Sequence, residues 1–311
     1  MKKTKFSLKN IRKYLHTTLK EPYYFYAISK KKTFNLILKK IQVLYTYTIP
    51  SIFTDLFYSF TASKRKTPDF IVIGVHKGGT TSIYDYLNQH PEIKMSRRKE
   101  INFFSKYYFM GINYYRSFFP KKSVDKITGE VSPYYFFHPH AARRIKETFP
   151  NIKIILLLRN PVERAYSHFN MVRGIDPADS FSEAINLENE RTNLEEKKVI
   201  EEEDYHSVAY QSFSYINHGL YYKQLSNWSK HFNIEEMLIL KSEDFFENTE
   251  TELKKVYNYV NVSEIFPKDL LPKNARSYNK ISTSEYQKYY PYFKEDQLKL
   301  KELLGNKFFW G

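Results

Sequence analysis

Three short stretches concentrate the residue types that handle anions and protons. The first, Gly74-Val75-His76-Lys77-Gly78-Gly79-Thr80-Thr81-Ser82, follows an apolar run and opens a helical one. A strand–turn–helix of this composition can wrap backbone N–H groups around a phosphate-like anion: glycine allows close approach, and a helix N-terminus carries partial positive charge. Lys77 adds a mobile point charge, and Thr80, Thr81 and Ser82 add hydroxyl donors. The second stretch runs from Arg159-Asn160-Pro161 to Ser167. It sets a guanidinium fork where an apolar run ends and a hydroxyl two turns into the next helix, which together make a phosphate clamp. The third holds Glu130, in Gly129-Glu130-Val131-Ser132-Pro133-Tyr134. A carboxylate at a strand mouth can take a proton from an acceptor hydroxyl or amine, and nearby aromatics would dry it and raise its pKa. Each stretch also has a plainer reading: a tight turn, an Arg159 paired to a neighbouring carboxylate, and a Glu130 that is a structural partner of Arg159 or Lys77.

The spacing narrows the chemistry. A nucleotide-triphosphatase loop places Lys directly before Ser or Thr, after its last glycine, whereas Lys77 precedes Gly78-Gly79. The dinucleotide fingerprint spaces its glycines differently. The chain has no cysteine, which removes disulfides, thiolate zinc sites, iron–sulfur clusters and cysteine nucleophiles together. Its nine histidines make neither an H-x-x-x-H nor an H-E-x-x-H pair, so no metal is expected. If Glu130 is more than a structural partner, a carboxylate beside an anion-binding loop suits transfer of a charged group to a neutral acceptor, which needs a clamp for the electrophile and a sink for the proton. A small-molecule kinase with a P-loop is the competing reading. It would need a nucleoside triphosphate, magnesium and a metal-binding carboxylate that the sequence does not offer.

These groups require a scaffold that gathers separate segments at one edge. Ile71–Ile73, Lys126–Val131, Ile152–Leu158 and Met237–Leu240 read as strands, the third suited to burial on both faces. Helical stretches are expected over Thr80–Gln89, Pro139–Thr148, from Pro161 onward, over 180–204 and over Leu220–Phe232. The alternation predicts an α/β fold, with a mostly parallel central sheet flanked by helices. Ligands of such sheets bind outside the carboxyl ends of the strands, where Glu130, Arg159 and the 74–82 loop all fall.

With 311 residues the chain can build one substantial core, and an aromatic content of 18% excludes disorder throughout. The formal charge is +15, but it is unevenly placed. Residues 1–66 hold 15 basic and two acidic residues, a net of +13, and the rest is nearly neutral at +2. The chain therefore divides into a basic, aromatic-rich N-terminal arm, 1–66, and a body, 67–311. Nucleic acid is not an expected partner, because the body lacks a basic footprint. The run Ile41–Phe60 is broken by Pro50 and Asp55 and is a poor membrane span. The arm reads instead as a peripheral membrane contact or as a solvated extension. The Tyr/Phe-rich stretches Phe103–Phe119 and Tyr205–Tyr222 read as core packing or as platforms for a sugar or lipid-like acceptor.

In these motifs and their order the chain resembles the sulfotransferases that use 3′-phosphoadenylyl sulfate (PAPS), most closely the heparan sulfate N- and O-sulfotransferase type and its bacterial relatives. Phe70 to Ser82 is similar to their 5′-phosphosulfate loop, Leu158 to Ser167 to their 3′-phosphate motif, and Gly129 to Tyr134 to their Glu-Lys-Ser-Pro-x-Tyr segment. His90-Pro91, Lys99-Glu100 and Phe103-Phe104 are placed as in that family. The resemblance spans about 68–305 and makes 67–311 a sulfotransferase domain of P-loop-like fold. It implies that Lys77 meets the transferring sulfonate and that Gly78, Gly79, Thr80, Thr81 and Ser82 cradle the 5′ end. Arg159 and Ser167 would hold the 3′-phosphate, helped by Lys273 and Arg276 from a late loop. Glu130 would be the general base, with Lys99 and His168 facing the acceptor. The product would be adenosine 3′,5′-bisphosphate (PAP).

Two positions depart from the pattern: Val131 stands where Lys is usual, and Met171 where N-sulfating members can carry His. They leave O- versus N-sulfation open and give a second alternative, a catalytically inactive PAP-binding protein. The resemblance implies a carbohydrate, polysaccharide or glycolipid acceptor. PAPS is made in the cytosol, and the start of the chain does not read as a signal peptide. A cytoplasmic, bacterial protein is therefore expected, associated with the inner face of a membrane if the arm binds there.

Overall fold

In a computed structural model, residues 10, 12–17, 58–173, 175–271 and 279–311 are described. Five strands form one sheet in the order β2-β3-β1-β4-β5, with every pairing parallel. They are β1 (Phe70–Gly74), β2 (Ile93–Met95), β3 (Ile127–Val131), β4 (Lys153–Leu158) and β5 (Leu238–Lys241). The helices that matter here are α1 (Thr80–Gln89), α2 (Ala141–Thr148), α3 (Pro161–Val172), α4 (Glu188–Glu201), α5 (Tyr221–Trp228), α6 (Ser242–Glu247), α7 (Thr249–Val260) and α8 (Pro291–Leu304).

The strands are apolar on both sides because both sides are covered. Along β4, Ile154, Leu156 and Leu158 pack into one core, and Ile155 and Leu157 into the other, following the two-residue alternation of a strand. The first core is roofed by α2, α5 and α8, the second by α1, α6 and α7. The Phe103–Phe119 stretch resolves as core: Phe103, Phe104, Tyr114, Tyr115, Phe118 and Phe119 are all buried in the first cluster. Tyr210, Tyr215 and Tyr221 are likewise buried. Hydrophobic and edge-to-face ring packing accounts for these side chains without a ligand.

The described part of the N-terminal arm is packed against the body. Tyr14 is buried in the first core, its ring edge-on to Tyr107 and Tyr114 at 5.2 and 5.3 Å. Lys13 pairs with Asp204 at 2.8 Å, and Arg65 donates to the Phe119 carbonyl at 2.7 Å. The boundary at residue 66 is thus a change of composition, while the packing runs across it. Most of the apolar run Ile41–Phe60 lies outside the described residues. Among the described residues, no helix is long and apolar enough to cross a membrane.

The chain reaches β2 and β3 on one side of β1 before crossing to β4 and β5 on the other. The carboxyl ends of β1, β3 and β4 therefore flank the point where the strand order reverses, the usual place for a crevice in an open parallel sheet.

Candidate active site

The turn between β1 and α1 is held in an unusual backbone shape. Lys77 has φ 70° and Gly79 φ 95°; the second is readily adopted only by glycine. A Cβ on Gly79 would also lie 2.7 Å from the Phe246 ring. Val75 N–H donates to the Leu157 carbonyl at 2.9 Å, and Gly78 N–H to the Val75 carbonyl at 3.0 Å. Ser242, at the start of α6, donates to the Gly78 carbonyl at 2.8 Å. These contacts engage the Val75 and Gly78 carbonyls of the turn. No side chain caps α1 at Gly79, and the first-turn N–H groups of a helix are the kind of donors that can meet an anion. Thr80 and Ser82 are buried in that turn, and Thr81 accepts from Lys99 Nζ at 3.2 Å. Lys99 thereby lies against the turn that carries Lys77.

Glu130 is not where the sequence puts it. It pairs in register with Ile71, whereas β1 runs on to Gly74, so it sits below the strand mouth instead of at it. Its side chain is fully buried, and neither oxygen forms a hydrogen bond. Burial pushes its pKa up to about 8, with the hydroxyls of Tyr135 and Tyr115 pulling weakly the other way. Enclosed there and held mostly protonated, Glu130 does not stand open at the strand mouth as the sequence suggests.

A different carboxylate occupies the mouth. Glu100 follows β2, with 26% of its side chain exposed. His76 Nε2 lies 3.8 Å from one of its oxygens and Lys99 Nζ 3.5 Å from the other. Burial would lift its pKa, but His76, Lys99 and Asn102 outweigh that and hold it down to about 2. Sequence reading named the Lys99-Glu100 pair but gave a role only to Lys99. The available signal was the glutamate's position, one residue from that lysine and shortly before the Phe103-Phe104 anchor. Asn102 N–H donates to Ser132 Oγ at 3.2 Å and Phe104 N–H to Tyr135 Oη at 3.4 Å, which ties the Glu100 segment to the end of β3.

Arg159 emerges from β4 as expected. Its guanidinium donates to the Lys77 carbonyl at 3.1 Å and pairs with Glu163 at 3.1 Å, one turn further on. The plainer pairing and the position beside the loop therefore hold at once. Asn160 caps α3 through the N–H groups of Val162 and Glu163, and Tyr221 donates to the Arg159 carbonyl at 2.7 Å. Ser167 is buried on α3, 2% exposed.

His168, expected beside an acceptor, is enclosed instead. It is 1% exposed and lies on the inner face of α3, one turn from the buried Arg164. Its ring meets those of His76, His218 and Tyr215 at 5.9, 5.4 and 5.2 Å. Burial first, and then the charges of Arg164, His76 and Lys77, push its pKa well below the ordinary imidazole value. The 215–219 turn packs against it through the Tyr215 and His218 rings. Lys273 and Arg276 lie outside the described residues. Among the described residues, no cluster of His, Asp and Glu could hold a metal.

Comparison with known proteins bears on these motifs. The profile of the sulfotransferase domain matches residues 67–304. The membrane-associated sulfotransferase kil1 of Dictyostelium discoideum is 27% identical over 312 residues, covering 78% of this chain and 66% of that protein. Human heparan sulfate glucosamine 3-O-sulfotransferase 3B1 is 30% identical over 209 residues, covering 67% of this chain and 50% of that protein. The chain thus spans half to two thirds of these relatives' lengths. The crystal structure of a sulfotransferase from Alicyclobacillus acidocaldarius superposes with a TM-score of 0.60 at 26% identity, covering 77% of this chain and 96% of that one.

Proposed function

This chain belongs to the sulfotransferase domain family, and from that premise we propose that it transfers a sulfonate group from PAPS to a hydroxyl or amine of a carbohydrate. The observation that carries the reading is the uncapped α1 N-terminus with Lys77 in its turn and the ionised Glu100 beside it. PAPS, when bound, supplies an activated sulfonate whose departure leaves PAP.

The chain's own groups suit that donor. The first-turn N–H groups of α1, with Lys77, would hold the 5′ end and stabilise negative charge as it grows on the leaving oxygen. Arg159 would take the 3′-phosphate by exchanging its contact with Glu163, with Ser167 behind it on α3. Glu100 would accept the proton of the acceptor, since it is ionised and reaches solvent while Glu130 does neither. Lys99, bridging Thr81 and Glu100, would orient an acidic or sugar acceptor.

The human relative, a heparan sulfate glucosamine 3-O-sulfotransferase, supports a carbohydrate acceptor, and polysaccharide or glycolipid forms fall within that class. The name of the Dictyostelium relative and the +13 arm support peripheral contact with an anionic membrane.

The reading is tested by calorimetry with PAP and by transfer of labelled sulfonate from PAPS to heparan sulfate and other glycans. Lys77→Ala should lower turnover by about two orders of magnitude or more. A folded preparation without PAP affinity, or one that transfers phosphoryl groups from a nucleoside triphosphate with magnesium, overturns it.

A further inference from the structure

A carboxylate that takes a proton must lose it before the next turnover, and besides solvent the loop supplies one neighbour able to receive it. His76 Nε2 stands 3.8 Å from Glu100 Oε2. The other neighbour, Lys99, has no lone pair while charged. The His76 ring is fixed by roughly parallel rings, His218 at 5.6 Å and Tyr134 at 6.2 Å, and by His168 edge-on at 5.9 Å. Its Nδ1 is buried and has no hydrogen-bond partner, so the nitrogen available for exchange is the one near Glu100.

Resting on the assignment of Glu100 above, we propose that His76 relays the proton that Glu100 takes from the acceptor. The acceptor O–H bond breaks and its electron pair forms the new O–S bond. The bond from sulfur to the bridging oxygen breaks, and that pair leaves on PAP. The proton passes to Glu100 Oε2, then to His76 Nε2, and to solvent as products depart. His76 acts through Glu100 and is a positioning and relay residue.

The titratable and charged groups facing it are Glu100 and Lys99 on the segment after β2, Lys77 in the loop, His168 with Arg164 on α3, His218 on the 217–219 turn, and Tyr134 on the short Tyr134–Phe137 helix. Burial pushes His168 and His218 well below the ordinary imidazole range, so both stay neutral and neither competes for the proton near neutral pH.

The test follows release of PAP from PAPS by the full chain, with water and with heparan sulfate as acceptors, from about pH 5 to pH 9. His76→Gln keeps a hydrogen-bonding side chain that cannot carry a proton, and His76→Arg keeps a permanent charge. Both should bind PAP within about threefold of the parent, turn over about tenfold more slowly, and lose one limb of the parental pH–rate profile. Parental rate and limb in both variants overturn the relay. Loss of PAP binding in both assigns His76 to the shape of the loop and overturns it too. Normal turnover by Glu100→Gln would instead remove the assignment of the carboxylate, whatever His76 does.

Discussion

Glu100 and Glu130 lie near the same strand ends in opposite surroundings. Glu100 has an imidazole at 3.8 Å, an ammonium at 3.5 Å and a quarter of its side chain in solvent. Glu130 has no exposure, and the hydroxyls of Tyr135 and Tyr115 are its polar neighbours. The first is held ionised, the second neutral. Residue type alone made them equal candidates for moving a proton. Neighbours and water access separate them, because burial penalises a charge that nearby partners can restore.

The largest effect expected from this contrast is on turnover. Glu100→Gln should lower PAPS-dependent transfer by about two orders of magnitude while leaving PAP affinity and melting temperature near the parent's. Glu130→Gln should stay within about threefold in turnover, because it replaces a neutral carboxyl by a neutral amide. Reversed rates for the two variants would break the comparison outright.

Stability gives the next effect, with a definite sign. The native state keeps a proton on Glu130 up to about pH 8, whereas the ordinary carboxyl value is 4.5. Stability is therefore fully present below pH 4.5 and declines as pH rises through about 8, by about 3 kcal/mol at pH 7. Glu130→Gln removes that slope, so its melting temperature should rise relative to the parent between pH 5 and pH 8. Parallel melting curves across that window would mean Glu130 is not held neutral.

The smallest effect concerns what keeps the two carboxyls apart. Ser132→Ala deletes the hydroxyl that accepts from Asn102 N–H. It should cost about 1 kcal/mol in denaturant titration and reduce turnover a few-fold by loosening the segment that carries Glu100. An unchanged midpoint and rate would show that Phe104 and its contact to Tyr135 suffice to hold that segment.

Much of the scaffold was legible because it is local. The helix over Thr80–Gln89 follows from its hydroxyl-rich start, and the Ile152–Leu158 run becomes β4 because helices cover both of its faces. Other features were not. β2 is only three residues, Ile93–Met95, too short for a periodicity to appear. The acidic stretch over 180–204 divides at Leu187 into Phe181–Asn186 and Glu188–Glu201, a break that no glycine or proline marks. His168 looked available, yet α3 turns it inward against the 215–219 turn.

By itself, the order of residues determined the glycine turn with its lysine, the arginine after β4 and the alternation that makes a parallel sheet, since each depends on neighbours a few positions away. Only the tertiary structure decided which carboxylate meets the cradle. That choice turns on how far β3 is staggered against β1, with Glu130 opposite Ile71, and on which segment folds over the mouth. Register and burial arise from contacts between distant parts of the chain, so no local pattern encodes them.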